Sequence, residues 1–419
     1  MRRSVVIGGM LLVACSKDPP AVVAPDAAAA RGAEVPAPAP TRTATPPAPP
    51  SAGSAPTVTA SAPLTGDAGA SACKPLRPPY IDPSFIAPVL LRVRDPGAEL
   101  VFNDSGLPRI VPVPRDTSDA SVASLASAAT AARTRSQLPA CAAAGDTLFC
   151  PDASGAVHEW QGESHTIVAK ARPGTDIAAV SVAGHAALAY LADRVTSEGV
   201  VREAWALVDH GAPVKLSEDG SGATFVDLAP RGDGLLAMTI DARVAMTPAH
   251  ARPLALEGST LKLGADAVVF VGGSAEPHNA GALVTGKDGR AFELVAVADG
   301  ASAFGMAAIR VENPPKEDEP VVWSLYPNGL DPAPLAVTVL GDTTVVARVK
   351  PRDEAPHAAR DLEVGALSAA GTFEAWCVID EAPFIKDIEV GTDAQGALWV
   401  FYRDPRGSVL ERRSIPSRR

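Results

Sequence analysis

The chain has 419 residues and a formal net charge of −11, from 37 basic and 48 acidic side chains. The acidic residues are dispersed apart from the run at 317–319, and no basic stripe gives the electrostatic footprint of nucleic-acid binding, so nucleic acid is excluded as an expected partner. Residues 76–419 are numerous enough for one large domain or two ordinary ones.

The first residues have the pattern of an export signal. Arg2 and Arg3 form a basic start, and residues 5–14 form an uncharged run of about ten, where a membrane-spanning helix needs roughly 20. Lys17 and the residues after it end that run abruptly. A short apolar stretch with small residues at its end indicates a signal peptide over residues 1–14 and not a membrane-spanning anchor.

The run ends in Leu12-Val13-Ala14-Cys15, which resembles the lipobox of bacterial lipoproteins. The resemblance implies diacylglyceryl transfer to Cys15, cleavage before it and N-acylation, and two or more acyl chains anchor a protein stably. Ser16 stands where an aspartate typically marks inner-membrane retention, so the resemblance implies a lipid anchor in the outer membrane, on its periplasmic or its surface side. The alternative is an ordinary secretory signal that contains a cysteine by chance.

Residues 15–75 hold the cysteine to be lipidated and a tether rich in Pro, Ala, Ser and Thr. The tether has few large apolar side chains, so it cannot bury enough surface to offset the entropy of ordering, and we expect it to be disordered. Pro-rich stretches favour an extended spacer. The expected organisation is a signal peptide (1–14), a lipidated tether (15–75) and a folded domain (76–419).

Four further cysteines predict two disulfides in an exported chain, with three connectivities open. Cys141 and Cys150 flank a turn at Gly145-Asp146, and their pairing leaves Cys73 for Cys377. Metal binding is the rival interpretation, but the sequence has no CxxC and no nearby histidine cluster, so no metal site or other cofactor is predicted.

From residue 83 onward the sequence is rich in short strand-like runs separated by turns that contain glycine, such as DASG at 152–155 and DAQG at 393–396. The Ala-rich segment 118–135 departs from this pattern and is either a helix or a disordered insertion. The predicted fold class is therefore all-β.

A turn ending in glycine followed by a strand with Trp or Phe recurs along the chain, and the first two copies are about 45 residues apart. The glycines are Gly155, Gly199, Gly289, Gly371 and Gly396, and the last interval is too short for a full unit. A strand-rich period of this length is typical of β-propeller blades and predicts about seven of them, and the chain resembles a propeller without matching a WD or kelch consensus. The alternative is a pair of β-sandwiches.

A propeller must fasten its first blade to its last, or the ring opens along an exposed strand edge. We expect a strand from the N-terminal side to join the last blade, with a Cys73–Cys377 bond reinforcing the closure.

Motifs for catalysis are weak. Residues 281–287 have the GxxxxGK spacing of a phosphate-binding loop, but Asp288 stands where Ser or Thr should follow, so a strand and a turn are predicted there. The histidines show no metal-binding spacing, and we expect His158 to lie at a strand end with its ring bonded to a neighbour.

The acidic pairs Asp193 with Asp227 and Asp387 with Glu389 could flank a sugar, although solvated faces explain them better. The five tryptophans are Trp160, Trp205, Trp323, Trp376 and Trp399, and packing between blades is favoured over ligand stacking for them.

Two functions remain from different classes. The first is a monomeric, surface-tethered, non-enzymatic binding or scaffold module for a protein, peptide or glycan partner in the cell envelope. The second is an exported carbohydrate-active hydrolase or lyase with carboxylates in the propeller channel. No catalytic residue is assigned from the sequence, and ionisable residues that converge at one mouth of the channel with perturbed pKa values would favour the enzyme.

Overall fold

The computed structural model describes the chain over residues 73–77, 79–82, 88–115, 138–197, 199–218, 220, 222–241, 247–272, 281–286, 290–299, 303–311, 322–326, 335–351, 360–382 and 385–415. The chain separates into residues 1–63 and 64–419. The lipobox, the tether up to residue 72 and the Ala-rich segment 118–135 lie outside the described residues. Within these ranges no helix is long and apolar enough to cross a membrane.

The described residues form 28 strands in seven antiparallel sheets, which we call blades 1 to 7. Blade 1 contains β2 (Val89–Arg94), β3 (Gly97–Asp104) and β4 (Leu107–Pro114), and blade 2 contains β5 (Ala142–Ala144), β6 (Thr147–Pro151), β7 (Ala156–Gln161) and β8 (Ser164–Lys170). Blade 3 contains β9 (Ile177–Val182), β10 (His185–Thr196), β11 (Gly199–Val208) and β12 (Val214–Lys215). Blade 4 contains β13 (Ala223–Arg231), β14 (Gly234–Asp241), β15 (Thr247–Glu257), β16 (Thr260–Leu263) and β17 (Ala267–Gly272). Blade 5 contains β18 (Gly281–Thr285), β19 (Ala291–Asp299), β20 (Ala303–Arg310) and β21 (Val322–Tyr326). Blade 6 contains β22 (Leu335–Leu340), β23 (Thr343–Pro351), β24 (Arg360–Leu367) and β25 (Phe373–Ala382). Blade 7 contains β26 (Lys386–Thr392), β27 (Leu398–Asp404) and β28 (Gly407–Arg413), and it is joined by β1 (Tyr80–Asp82).

The blades are arranged as a closed ring. The first strands of neighbouring blades contact one another from β5 through β9, β13, β18, β22 and β26 to β2, so these strands surround a central channel. Apolar side chains from each pair of neighbouring blades form a buried cluster, including blade 7 with blade 1 and blade 1 with blade 2. Burial between sheets is the main favourable term for such a fold. The chain is a seven-bladed β-propeller, and the alternative of two β-sandwiches is excluded because the clusters run round the whole ring.

The ring is fastened by the N-terminal strand, as the sequence predicted. β1 pairs with the C-terminal strand β28, where Tyr80 lies opposite Leu410. A further bridge joins Pro75 to Arg413, and the amide of Leu76 donates to the carbonyl of Arg412 at 2.8 Å. The outer edge of blade 7 is therefore built from both ends of the folded part, which removes an exposed strand edge.

Both predicted disulfides are present. Cys141 and Cys150 join the first two strands of blade 2 across the turn at Gly145, whose φ is +62°. Cys73 joins Cys377 in β25, the outer strand of blade 6, across a sequence separation of 304 residues. This second bond fixes the start of the folded part to the blade beside the closure.

Among the described residues, only the first two of the predicted repeats occupy the same position in a blade. Gly155 and Gly199 each precede the third strand of a blade, whereas Gly371 precedes a fourth strand and Gly396 a second strand. Gly289 lies outside the described residues. The prediction of a strand at Gly281–Thr285 is correct, and the Lys287 turn that follows is not described.

Candidate functional site

Two acidic side chains lie on the strand of blade 7 that lines the channel. Asp387 and Glu389 belong to β26, whose pairing with β27 shifts register between Lys386 and Glu389. Asp387 has a φ of +51°, a left-handed conformation that is uncommon for a residue other than glycine. A bulge of this kind re-aims side chains and bends the strand. The sequence pair Asp387 and Glu389 is thus brought together at a local irregularity.

A third carboxylate approaches them from another part of the ring. Asp176 directly precedes β9, the first strand of blade 3. Blades 3 and 7 are not neighbours, yet the negative charges of Asp176 and Asp387 both raise the pKa of Glu389. The three side chains are therefore within electrostatic range of one another across the central channel, near the ends at which β9 and β26 begin. We call Asp176, Asp387 and Glu389 the channel carboxylates, and we call this side of the ring the carboxylate face.

Burial and crowding of negative charge perturb these groups. Burial, followed by the charges of Asp176 and Asp387, raises the pKa of Glu389 from its ordinary value of 4.5 to about 8. Burial and then the charge of Asp387 also raise the pKa of Asp176. Solvent nevertheless reaches both side chains, since Asp176 is exposed and Glu389 is half-buried. A carboxyl that is crowded by other groups and is still reached by solvent is typical of the wall of a narrow channel.

The channel carboxylates differ in their partners. Asp387 forms an ion pair with Arg403 on β27, with 2.5 Å between Oδ2 and Nη2. Glu389 forms no hydrogen bond or ion pair with another described residue. A protonated Glu389 offers an O–H donor, and an ionised carboxylate offers only acceptors. The site can therefore bind a cation or a group with several hydroxyls. No cluster of metal-binding side chains is found among the described residues.

The other acidic pair from the sequence has separate structural roles. Asp227 lies on β13 and accepts hydrogen bonds from the amides of Leu228 and Leu283, each at 2.8 Å, which connects blade 4 to blade 5. Burial raises the pKa of Asp227 to about 6, although the two hydrogen bonds favour the ionised form and lower the pKa. Asp193 lies on β10 and accepts from Arg172 at 3.1 Å. These contacts explain both residues without a ligand.

Sequence reasoning missed Asp176. Its position directly before a first strand would have placed it on the carboxylate face, but the glycine turns did not show which strand of a blade comes first. No local motif marks the residue.

Histidines are bonded to carboxylates at several places. His158 lies inside β7 and not at a strand end as predicted, and its Nε2 is 3.3 Å from Asp152, as predicted for a ring satisfied by a neighbour. His250 is buried on β15, with its Nδ1 2.9 Å from Asp266. Burial lowers the pKa of His250, but the hydrogen bond to Asp266 and nearby negative charges outweigh it and raise the pKa. In the first pair, Asp152 also accepts a hydrogen bond from the hydroxyl of Ser154 at 2.8 Å.

The tryptophans pack between blades where their side chains are described. Trp399 is fully buried in the cluster between blades 7 and 1. The partly buried ones pack against three other clusters, and they are Trp160, Trp205 and Trp376. The side chain of Trp323 lies outside the described residues. Packing accounts for these rings and leaves no aromatic platform at the channel carboxylates among them.

Comparison with known proteins gives distant similarities of fold. No protein-family model matches the chain, and no curated protein matches it. A protein of unknown function from Dyadobacter fermentans is 11% identical with a TM-score of 0.45, over 82% of this chain and 100% of that one. Drosophila semaphorin 1b, extracellular domains 1–2, is 10% identical with a TM-score of 0.45, over 83% and 88% of the two chains. The Dos1 propeller is 11% identical with a TM-score of 0.42, over 83% and 96%. Similarity at this level carries no conclusion about activity.

Proposed function

We propose that the protein is an envelope lipoprotein, anchored in the outer membrane through lipid on Cys15, whose propeller binds a protein, peptide or glycan partner without catalysis. The observation that carries the binding role is Glu389, a channel-lining carboxyl that solvent reaches and that has no partner among the described residues. Asp176 and Asp387 beside it provide acceptors for a cationic or hydroxylated group.

Array binding with matched variants tests the site. The full chain, purified in detergent from its own envelope, is applied to glycan and peptide arrays beside the variant Asp176→Asn/Glu389→Gln. Glu163→Gln is the control, because Glu163 is an exposed residue in a turn of blade 2. We expect bound ligands to be lost by the channel variant and kept by the control. Equal binding by all three proteins would contradict the channel site.

A hydrolase or lyase acting on carbohydrate is the second candidate. The observation that favours it is the pKa of Glu389 near 8, because a carboxyl that keeps its proton at neutral pH beside a second carboxylate is the arrangement of a general acid with a base or nucleophile. Glycans that bind the array are incubated with the chain and their products measured by mass spectrometry. Cleavage that Glu389→Gln abolishes supports this candidate, and binding without cleavage contradicts it.

Lipidation has its own test. The resemblance of residues 12–15 to a lipobox supports the anchor, and it requires the thiol of Cys15. Cells fed an alkynyl fatty acid should label the natural chain and the control Ser16→Ala but leave Cys15→Ala unlabelled. Label that persists on Cys15→Ala would overturn the proposed anchor.

A further inference from the structure

The hairpin of β10 and β11 extends beyond its own sheet. β9 pairs with β10 only from His185 to Tyr190, whereas the pairing of β10 with β11 continues to Thr196 opposite Gly199. On the other side, β12 pairs with β11 only at Trp205 and Ala206. Residues 192–196 and 199–203 therefore form a two-stranded ribbon that has no further strand beside it among the described residues. At ~3.4 Å per residue, the distance from Tyr190 to Thr196 is about 20 Å.

The ribbon extends from the carboxylate face. Tyr190 lies opposite Ile177, the first residue of β9, and Asp176 precedes that residue. Since β10 runs antiparallel to β9, the part of β10 after Tyr190 continues past the end of β9 where Asp176 lies. The channel carboxylates and the ribbon are thus on one side of the molecule.

One edge of the ribbon faces the channel with unpaired backbone groups. The amide of Arg172 donates to the carbonyl of Leu191 at 2.6 Å on the side of β10 where β9 lies. Backbone groups alternate between the two sides of a strand, so the N–H and C=O of Asp193 and Val195 point to this same edge. No described strand pairs with them there. A strand added at this edge would lie beyond Arg172, whose amide already bonds Leu191, and would pair with Asp193 and Val195.

An exposed apolar pair flanks the polar turn at 196–199, while the base of the ribbon is charged and paired. Val195 and Val200 lie opposite each other in the register and are 82% and 64% exposed. Below them, Arg172 binds Asp193, and Arg194 Nε binds Glu203 at 2.8 Å. Natural proteins usually protect a free edge with charge or a covering element. On this ribbon, Asp193 and Arg194 place charge at the base, and no described strand covers the edge beyond them.

We infer that the inner edge of this ribbon binds an extended, basic polypeptide segment, which pairs with β10, covers Val195 and Val200, and directs a Lys or Arg side chain to the channel carboxylates. Strand addition supplies backbone hydrogen bonds, and the side chains on alternate positions supply specificity. The inference rests on the proposed binding function and names its partner class. A glycan has no backbone amides to pair with the edge, and a second copy of this chain carries the same charge of −11.

The probe is a fluorescent decapeptide that alternates valine and lysine, with binding to the full chain measured by anisotropy at about 150 mM salt. The variant is Val195→Thr/Val200→Thr, which keeps the branched side chains that suit strands. The control is Ile167→Thr, because Ile167 is 59% exposed on the outer strand of blade 2. We expect the double variant to weaken binding by about tenfold or more and the control to match the natural chain. Thermal unfolding of each variant shows whether it is folded.

Two altered peptides test the two parts of the inference with the natural chain. A decapeptide that alternates valine and glutamate should bind at least about tenfold more weakly, and so should the lysine peptide N-methylated on alternate residues. Equal binding of the acidic peptide would contradict the role of charge, and equal binding of the methylated peptide would contradict strand pairing.

Other results separate this inference from the proposed function. No binding of the lysine peptide overturns the inference, and array ligands that still depend on Asp176 and Glu389 would leave the proposed function standing. Peptide binding that Val195→Thr/Val200→Thr does not change also overturns it. Self-association in sedimentation that the same variant abolishes would assign the ribbon to a second copy of the chain instead.

Discussion

At the scale of single residues, Glu389 makes the stability of the fold depend on pH. Its pKa is about 8 in the folded protein and 4.5 ordinarily, so the folded state holds this proton more tightly than the unfolded state. Stability is then greatest below the ordinary pKa, falls as pH rises from about 4.5 to about 8, and has lost this contribution above that range.

Replacing Glu389 with Gln should remove that part of the dependence on pH. The amide cannot ionise, so we expect the variant to melt at a higher temperature than the natural chain at about pH 9 and to differ little at about pH 4.5. Differential scanning calorimetry across this range measures the difference. The exposed control Glu163→Gln should show no such trend. A variant that is less stable than the natural chain at high pH would mean that Glu389 is held ionised.

Part of this site could be predicted from the sequence. Asp387 and Glu389 are two residues apart, a spacing that places both on one face of a regular strand. Asp176 belongs to a loop more than two hundred residues away in the chain, and only the ring brings it near them. The bulge at Asp387 also has no sequence signal, since a left-handed backbone there would be expected of glycine or asparagine.

At the scale of elements, the closure of the ring depends on a three-residue strand and a disulfide. β1 contributes only Tyr80–Asp82 to blade 7. Around it, Arg413 Nη1 donates to the carbonyl of Cys73 and Nη2 to that of Ile379, each at 3.1 Å. These contacts connect the start of the folded part to blades 6 and 7.

Loss of the long-range disulfide should cost more stability than loss of the local one. The chain-entropy estimate is about 5 kcal/mol for the loop closed by Cys73 and Cys377 and about 2–3 kcal/mol for Cys141 and Cys150, both upper figures. Guanidinium unfolding of the two double alanine variants measures the ranking. Cys141 and Cys150 are the more deeply buried pair, so their replacement by alanine also loses packing contacts. This loss reduces the expected difference in stability between the two variants. A Cys73→Ala/Cys377→Ala variant as stable as the natural chain would show that β1 closes the ring alone.

Strands and turns were more predictable than their places in the blades. Several connections within the blades are tight antiparallel turns, and glycine supplies the positive φ of such a turn at the first, second or third connection alike. The examples in this chain are Gly396, Gly155 and Gly371, with φ of +75°, +86° and +82°. A glycine turn therefore reveals the hairpin but not which hairpin it is. The interval from Gly155 to Gly199 matches the blade period because both glycines stand at the start of a third strand, whereas the intervals to Gly371 and Gly396 join different positions.

At the scale of the whole molecule, the stability of the propeller comes from apolar clusters between blades. Each cluster uses residues from two neighbouring blades, as with Val345 and Val400 between blades 6 and 7. A blade removed from the ring would lose both of its interfaces. We expect the ring to unfold as one cooperative unit for this reason.

Deletion of residues 19–72 should leave that unfolding unchanged. Their composition predicts no packed contact, so the melting temperature of the remaining chain should agree with that of the natural chain within about one degree. Circular dichroism melts of the two proteins make the comparison, and the deletion keeps Cys73 and its bond. A drop of several degrees would show that the segment packs on the propeller.

The position of the Cys73–Cys377 bond also sets how the molecule bears mechanical load. Cys73 comes before β1 in the chain, so a pull from the N-terminal side reaches this covalent bond before it reaches the hydrogen bonds of β1 with β28. The tension passes into β25, which pairs with β24 from Phe373 to Ala382. Without the bond, the same pull would act on the bridge of Pro75 with Arg413 and then on the three residues of β1, which could separate from β28 one pair at a time. In the proposed lipoprotein, the tether connects the membrane to Cys73. The disulfide would bear the force that drag on the propeller exerts through the tether, and this would keep the ring closed.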